Sequence, residues 1–507
     1  MLFKIAGAAL YGVQAYLVEV EVDIALGVPD FVMVGLPDKT VRESRERVKT
    51  ALKNCGFPIT RRKIMVNLAP ADRKKEGTAF DLPISLGLLA HLDAFPSEHL
   101  KDFLFTGELA LDGRLKSVPG ILPAAVLAKK KKYKGIVIPK TNEKEAALVK
   151  GLGVYALNDI NEVISLLNKS DDIKPSCFDV KRLLRSEKMN CDFKDIKGQK
   201  HCKRALEVAA AGGHNVLMVG PPGAGKTMMA RRLPTIMPPM TFEEILEATQ
   251  IYSVSGLLGN RGAVVRRPFR SPHHTTSDAG LIGGGMIPKP GDVSLAHHGV
   301  LFLDELPEFR KKVLESLRQP MEDGQVTISR ASMTVTYPCS FMLVASMNPC
   351  QDTHGSFPGS EYECTDSQKN RYYSKISGPL LDRIDIHLEV PKVEYKEISS
   401  GNEGESSEAI RQRVVKARNR QLNRFRKQNI FCNAEMGVKQ VKRFCKPDQA
   451  GEELLHMAVD KLGFSARAYD RVLKVARTIT DLEGAEELSS AHISEAVQYR
   501  MWDKYFR

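Results

Sequence analysis

The sequence predicts an α/β protein: a parallel-sheet, phosphate-binding core, an α/β region before it and a helical region after it. Three stretches carry that prediction. Gly220-Pro221-Pro222-Gly223-Ala224-Gly225-Lys226-Thr227 lies between an apolar run, 215–219, and a helix-like run, 228–233. A glycine, four residues, then Gly-Lys-Ser/Thr between strand and helix is the phosphate-loop pattern. Gly299-Val300-Leu301-Phe302-Leu303-Asp304-Glu305 is a buried-type strand ending in two acids, and 341–348 is a third apolar run ending at Asn348.

The chemistry follows from the residue types. Glycines let backbone N–H groups close on phosphate oxygens, and the helix N-terminus adds positive potential. Lys226 would neutralise charge on the β- and γ-phosphates, and the Thr227 hydroxyl and Asp304 would hold Mg²⁺. Glu305 would polarise the attacking water. ATP and Mg²⁺ are therefore the expected cofactors.

A chain of 507 residues should hold two or three domains. Hydrophobic residues at 43% and charged residues at 27% are those of a globular protein. No apolar run is long enough to cross a bilayer, and Lys4 interrupts the short N-terminal one, so no membrane association is expected. Nine scattered cysteines do not form a disulfide framework, which points to a reducing cytoplasm. The net charge of +13 favours a polyanionic partner.

Residues 1–168 read as one α/β domain. Strands are expected at 17–22, 31–34, 63–68 and 135–139, and helices at 40–52 and 82–92. Lys129-Lys130-Lys131-Lys132 reads as a solvated basic run. A polar, proline-containing stretch sets a linker at 169–190, the core spans 191–398, and 399–507 forms the helical region.

In the first domain, Val34-Gly35-Leu36-Pro37, 43–48 and 67–72 resemble the Lon-protease-like domain that precedes the ATPase in the YifB/ComM family. Lon proteases use a Ser-Lys dyad. In the matching run, Lys75-Glu76-Gly77-Thr78-Ala79-Phe80-Asp81, alanine takes the nucleophile position, and the lysine position falls near Leu122. A dyad needs a hydroxyl and an amine within hydrogen-bond reach. The domain is expected to be a scaffold or binding module, with Thr78 the alternative nucleophile.

The same resemblance assigns roles in the AAA+ core. Asn348 resembles the sensor 1 residue that reads the γ-phosphate. Arg383, in Gly378-Pro379-Leu380-Leu381-Asp382-Arg383-Ile384-Asp385, resembles the finger given to a neighbouring subunit; a salt bridge to Asp382 or Asp385 is its other reading. Arg467 matches a sensor 2 arginine on a helical lid, with Arg471 as the alternative. Residues 267–305 resemble magnesium-chelatase-type ATPases. His273-His274 and His297-His298 within them fit packing or capping better than metal binding. Residues 326–337 alternate as a hairpin with Arg330 near its tip, the pre-sensor 1 hairpin. Relatives carry paired cysteines after sensor 1. Here Cys350, Asp352, His354 and Cys364 remain as a reduced zinc set.

In 411–427, Arg413, Lys416, Arg420, Arg424 and Lys427 share one helical face, opposite Ile410, Val414, Ala417 and Phe425. That basic stripe is either solvated surface or a phosphate contact. The resemblance implies a ring-forming, hexameric ATPase acting as a helicase or branch-migration motor on single-stranded or branched DNA. A magnesium-chelatase-like motor and an ATP-dependent protease are the alternatives; the first lacks such an N-terminal domain and the second needs the missing dyad.

Overall fold

The computed structural model describes residues 2–59, 62–169, 173–176, 179, 191–286, 288–330, 333–350, 365–393, 404–426, 428, 430–462 and 464–502. The chain divides into two compact units: Met1–Glu187 with Phe242–Val265, and Lys188–Thr241 with Arg266–Arg507.

In the first unit, β1 (Leu2–Tyr11), β2 (Gln14–Leu26), β3 (Asp30–Val34) and β4 (Arg62–Ala69) form a sheet in the order β1-β2-β4-β3. The alternation in β2 sends Val18, Val20 and Val22 inward. Helix α1 (Lys39–Asn54) starts where the Asp38 carboxylate accepts from Val41 N at 2.7 Å, and its period buries Val41, Val48 and Leu52. Helix α2 (Asp81–His91) is apolar nearly all round and buried to match. It sits so close to β2 that a methyl group on Gly87 would collide with Val22. A parallel sheet of β5 (Phe103–Phe105), β6 (Gly135–Pro139) and β7 (Gly153–Leu157) and helix α3 (Ile121–Lys130) complete the N-terminal part. Strand β1 is absent from the sequence expectation. Its centre, Ala6-Gly7-Ala8-Ala9, has little side-chain pattern, and its register with β2 supplies what the pattern lacks.

At the positions of the missing dyad, Leu122 lies buried in α3. Lys75 is buried, and its ammonium donates to the carbonyls of Pro70 and Arg73.

The second unit holds a five-stranded parallel sheet. Its strands are β8 (Val216–Val219), β9 (Phe269–Arg270), β12 (Val300–Leu303), β15 (Met342–Met347) and β16 (Ile386–Glu389), ordered β9-β12-β15-β8-β16. Two hairpins interrupt it, β10 (Gly283–Gly284) with β11 (Lys289–Pro290), and β13 (Gln325–Arg330) with β14 (Met333–Pro338). Helices α4 (Lys200–Gly212), α5 (Lys226–Ile236), α6 (Ser407–Arg424) and α7 (Ala466–Glu483) pack into one core with the sheet; Val216, Phe302 and Val344 share it with Val414, Val472 and Ile479. The C-terminal helices thus have no separate core, and the boundary expected at 398/399 lies outside the described residues.

Helix Phe242–Val254 follows α5 in the chain but belongs to the first unit. It buries Ile245, Ala248, Ile251 and Tyr252. Its end is held by a buried carboxylate. Glu145 accepts from the Ser253 hydroxyl, from Leu122 N at 2.8 Å and from Asn142 Nδ2 at 3.2 Å, while Gly120 N donates to Ser253 O at 3.1 Å. Burial pushes the Glu145 carboxyl above its ordinary range, and these hydrogen bonds only partly offset it. A raised native pKa means that the folded state holds the proton more tightly than the unfolded chain. Stability is then greatest below the ordinary glutamate value, about 4.3, and falls as pH rises through the native one. Glu145→Gln removes that titration. The gap between wild-type and Glu145→Gln unfolding midpoints should therefore shift in the variant's favour as pH rises from about 4 to 7; parallel midpoint profiles in denaturant titrations would contradict this.

Candidate nucleotide site

Sheet order decides where the chemistry gathers. Strand β15 lies between β8 and β12, with Val219 opposite Met347 and Leu303 opposite Ala345. Three strands therefore end side by side, at the carboxyl edge where open α/β sheets bind ligands. Gly220 leaves β8 with its N–H on Met347 O at 3.2 Å and packs against the Val390 carbonyl, where a Cβ has no room. Gly223 and Gly225 take φ of +78° and +87°, the left-handed region that favours glycine. Pro221, Pro222 and Ala224 make up the rest of the loop, which turns into α5. Gln199 fixes it from behind, donating to Ala224 O at 3.0 Å and Pro391 O at 2.9 Å.

Lys226 opens α5 and is buried. A buried ammonium needs acceptors. It donates to Pro221 O at 2.9 Å and to Asn348 Oδ1 at 2.9 Å, as well as to Gly220 O. Asn348 thus stands beside the lysine, as the sensor resemblance implies, and Tyr372 Oη holds its carbonyl at 2.9 Å. Thr227 Oγ1 donates to Asp304 Oδ2 at 2.8 Å, and Ser346 donates to the other carboxylate oxygen. Glu305 sits in the left-handed region at φ +55°, half exposed, with Oε2 at 3.3 Å from His274 Nδ1.

These residues fit a nucleoside triphosphate with Mg²⁺. The loop has the close backbone that a bulkier residue at Gly220 would block, and Thr227 and Asp304 offer the hydroxyl and carboxylate oxygens that Mg²⁺ takes. Mg²⁺ held there would supply charge neutralisation to the phosphates. With such a ligand bound, Lys226 would stand by the phosphate charge and Glu305 would be the carboxylate within reach of water.

Arg383 pairs with neither Asp382 nor Asp385. Its side chain is 8% exposed, bonded to Glu322 and to Pro379 O at 2.6 Å. Asp385 instead takes Arg471, the other candidate for the lid arginine. Arg467, on the first turn of α7, is exposed and makes no hydrogen bond or ion pair among the described residues. His297 accepts from Ser340 N at 3.0 Å and His273 pairs with Thr275 Oγ1 at 2.9 Å, as capping groups do. Cys350 is buried. Asp352, His354 and Cys364, the rest of the zinc set, lie outside the described residues.

Arg330 ends β13, exposed, with Nε at 3.3 Å from Gly285 O in the neighbouring hairpin. Met286 and Lys289 of that hairpin are exposed too. The basic stripe, expected to be either solvated surface or a phosphate contact, is largely engaged inside the chain. Arg413 bonds Glu207 at 2.6 Å and both oxygens of Glu405, and these hydrogen bonds raise its pKa. Arg424 grips the buried Asp481 carboxylate, with Asn433 Oδ1 at 3.1 Å, and Arg420 donates to Asp481 O. Lys416 is exposed. Lys427 lies outside the described residues.

The fold and site define a P-loop protein of the AAA+ type. Three family profiles match, described as magnesium chelatase subunit ChlI over residues 192–398, subunit ChlI of Mg-chelatase over 20–142, and the ChlI C-terminal region over 404–500. The chain is 45% identical over 495 residues to "Competence protein ComM" of Haemophilus influenzae, covering 97% of this chain and 96% of that one. It is 43% identical over 499 residues to the uncharacterized protein YifB of Escherichia coli, covering 98% and 96%. A shorter match, 32% identical over 148 residues, is to Lon protease 2 of Bacillus subtilis, covering 27% of this chain and 26% of that one. The chain belongs to the ComM/YifB family.

Ser346 and Glu322 are site residues that the sequence did not flag, and His274 was expected to pack or cap rather than to stand beside Glu305. Only Ser346 carried a signal, as the polar residue inside an otherwise apolar buried strand. Lys226→Ala should abolish binding of a fluorescent ATP analogue. Glu305→Gln should keep that binding within a few-fold and lower phosphate release by about 10²–10⁴-fold; a hydrolysing Glu305→Gln protein would remove Glu305 from its role.

Proposed function

We infer that this protein hydrolyses ATP to ADP and phosphate in a homo-oligomeric, hexameric ring, and couples hydrolysis to movement on single-stranded or branched DNA in the cytoplasm. The observation that carries the ATPase part is the convergence of Lys226, Thr227, Asp304 and Asn348 at three adjacent strand ends, with Glu305 beside them. The sensor, finger and lid roles of Asn348, Arg383 and Arg467 rest on the same motif arrangement. Among the described residues, no helix is long and apolar enough to cross a membrane, and the cysteines form no disulfide.

The DNA part rests on less. Two hairpins stand together, joined by Arg330 to Gly285 and by Tyr337 Oη to Pro288 O at 2.7 Å, with Arg330 and Lys289 exposed. The net charge of +13 favours a polyanion. With Arg413, Arg420 and Arg424 engaged inside the chain, Lys416 is what α6 still offers. The match to magnesium chelatase subunits supports the second reading, a motor that remodels a protein or metal-insertion partner. Measuring ATPase rate with no DNA and with single-stranded, duplex and branched DNA separates them. Stimulation favours the DNA motor, and an unchanged rate favours the chelatase-like one.

If Arg383 is a finger for the adjacent subunit, mixing Arg383→Ala with Lys226→Ala protein should restore part of the hydrolysis that each lacks, because one class of interface pairs an intact loop with an intact arginine. No recovery in demonstrably mixed rings would leave Arg383 a structural residue. Phosphate contacts release counterions, so Arg330→Ala should weaken binding to all DNA sequences alike and flatten the log–log salt dependence by about one. An unchanged slope would return Arg330 to plain surface.

A further inference from the structure

The turn that carries Arg383 is held from two sides. Arg383 O accepts from Asn215 Nδ2 at 3.0 Å, at the root of β8, and from Arg471 Nη1 at 3.2 Å, on α7. Two residues on, Asp385 is 3% exposed. Its carboxylate accepts from Asn215 N at 3.0 Å, lies 3.6 Å from His214 Nδ1 and is bonded to Arg471. Burial opposes its ionisation, but Arg471 and His214 outweigh that and hold the carboxyl far below its ordinary range. The guanidinium of Arg471 therefore spans the backbone and side chain of one turn.

Arg471 sits one turn after Arg467, whose side chain is exposed at the start of the same helix. One turn of helix is about 5.4 Å of rigid rod, so a shift of Arg467 toward a ligand carries Arg471 with it. Arg471 does not leave the turn freely, because withdrawing its charge would leave the buried Asp385 carboxylate with Asn215 N and His214 to offset its desolvation. The Arg383 side chain, meanwhile, has a buried Nε with no hydrogen-bond partner and a single carboxylate, Glu322, half exposed, holding its outer end. A guanidinium with an unsatisfied N–H is held less firmly than one fully bonded.

We propose that Arg471 is a positioning residue that transmits the placement of helix α7, set when Arg467 meets nucleotide, to the Arg383 turn, so that nucleotide bound in one subunit controls how Arg383 is presented to the next. This rests on the finger reading of Arg383 given above. The device needs two-state behaviour of one element, the α7–turn block, and the Arg471 bonds make that block one piece.

The test uses the full-length protein in two ways. First, Arg471→Met with Asp385→Asn removes the link without stranding a buried charge. Affinity for a fluorescent ATP analogue should stay within about 3-fold while hydrolysis falls at least 10-fold, and adding Arg383→Ala should cause no further fall. A merely structural Arg471 would lower affinity and hydrolysis together, and the losses would add. Wild-type hydrolysis in the double variant, with Arg383→Ala alone inactive, overturns the coupling. Full activity of Arg383→Ala alone overturns the finger reading instead. Second, hydrogen exchange on protein unaltered at the link covers a double variant that fails to fold. Adenylyl imidodiphosphate should change protection in peptides over 378–388 and 464–473 together, and Arg467→Ala should abolish both changes. A change confined to 464–473 overturns the proposal.

Discussion

The site depends on one carboxylate being shared. Asp304 is bonded at once by the first turn of α5, through Thr227, and by the neighbouring strand, through Ser346. Both bonds need the ends of β8, β12 and β15 side by side, and a parallel sheet achieves the order β12-β15-β8 only with crossover connections. The α4, α5 and C-terminal helices share a core with one face of the sheet, through Val216, Phe302 and Val344, and the alternate residues Leu217, Leu301 and Leu343 are buried as well, so those strands are apolar throughout rather than alternating. The glycine-rich loop then has a single place to close, over the ends of three strands. Lys226 is buried there, donating to the carbonyls of Gly220 and Pro221 and to the Asn348 amide oxygen.

What was legible in the sequence was what is contiguous in it. The loop, the Asp-Glu strand end and the Asn348 strand end are short runs whose order alone fixes the local geometry. The hairpin at 325–338 was legible from period two, and α1 from period 3.6. The partners were not legible. Glu322 for Arg383, His274 for Glu305 and Arg471 for Asp385 are separated by tens of residues and meet only through packing. The α6 stripe shows why. A helical wheel says which way a side chain faces relative to its own helix, and nothing about the neighbour on that side. Glu207 comes from α4 and Asp481 from α7, and both meet cations that the wheel sends to water.

That stripe also changes how the chain's charge is understood. Asp481 takes Arg424, Arg477 and Asn433 into one buried cluster. Such a cluster adds little net stability over apolar packing, but breaking one member leaves the rest uncompensated. Part of the excess of Arg and Lys thus serves as internal glue between helices of the second unit, and counting cations overstates the surface available to a polyanion.

The allocation of Phe242–Val265 to the first unit has a consequence for anyone cutting the chain into parts. The polypeptide passes from one unit to the other three times, at 187/188, 241/242 and 265/266. A fragment beginning at residue 188 keeps a helix whose apolar side, Ile245, Ala248, Ile251 and Tyr252, has lost its seat, while a fragment ending at 187 keeps the seat without the helix. Each half carries a sticky, complementary scar. The two segments are for that reason poor candidates for separate expression.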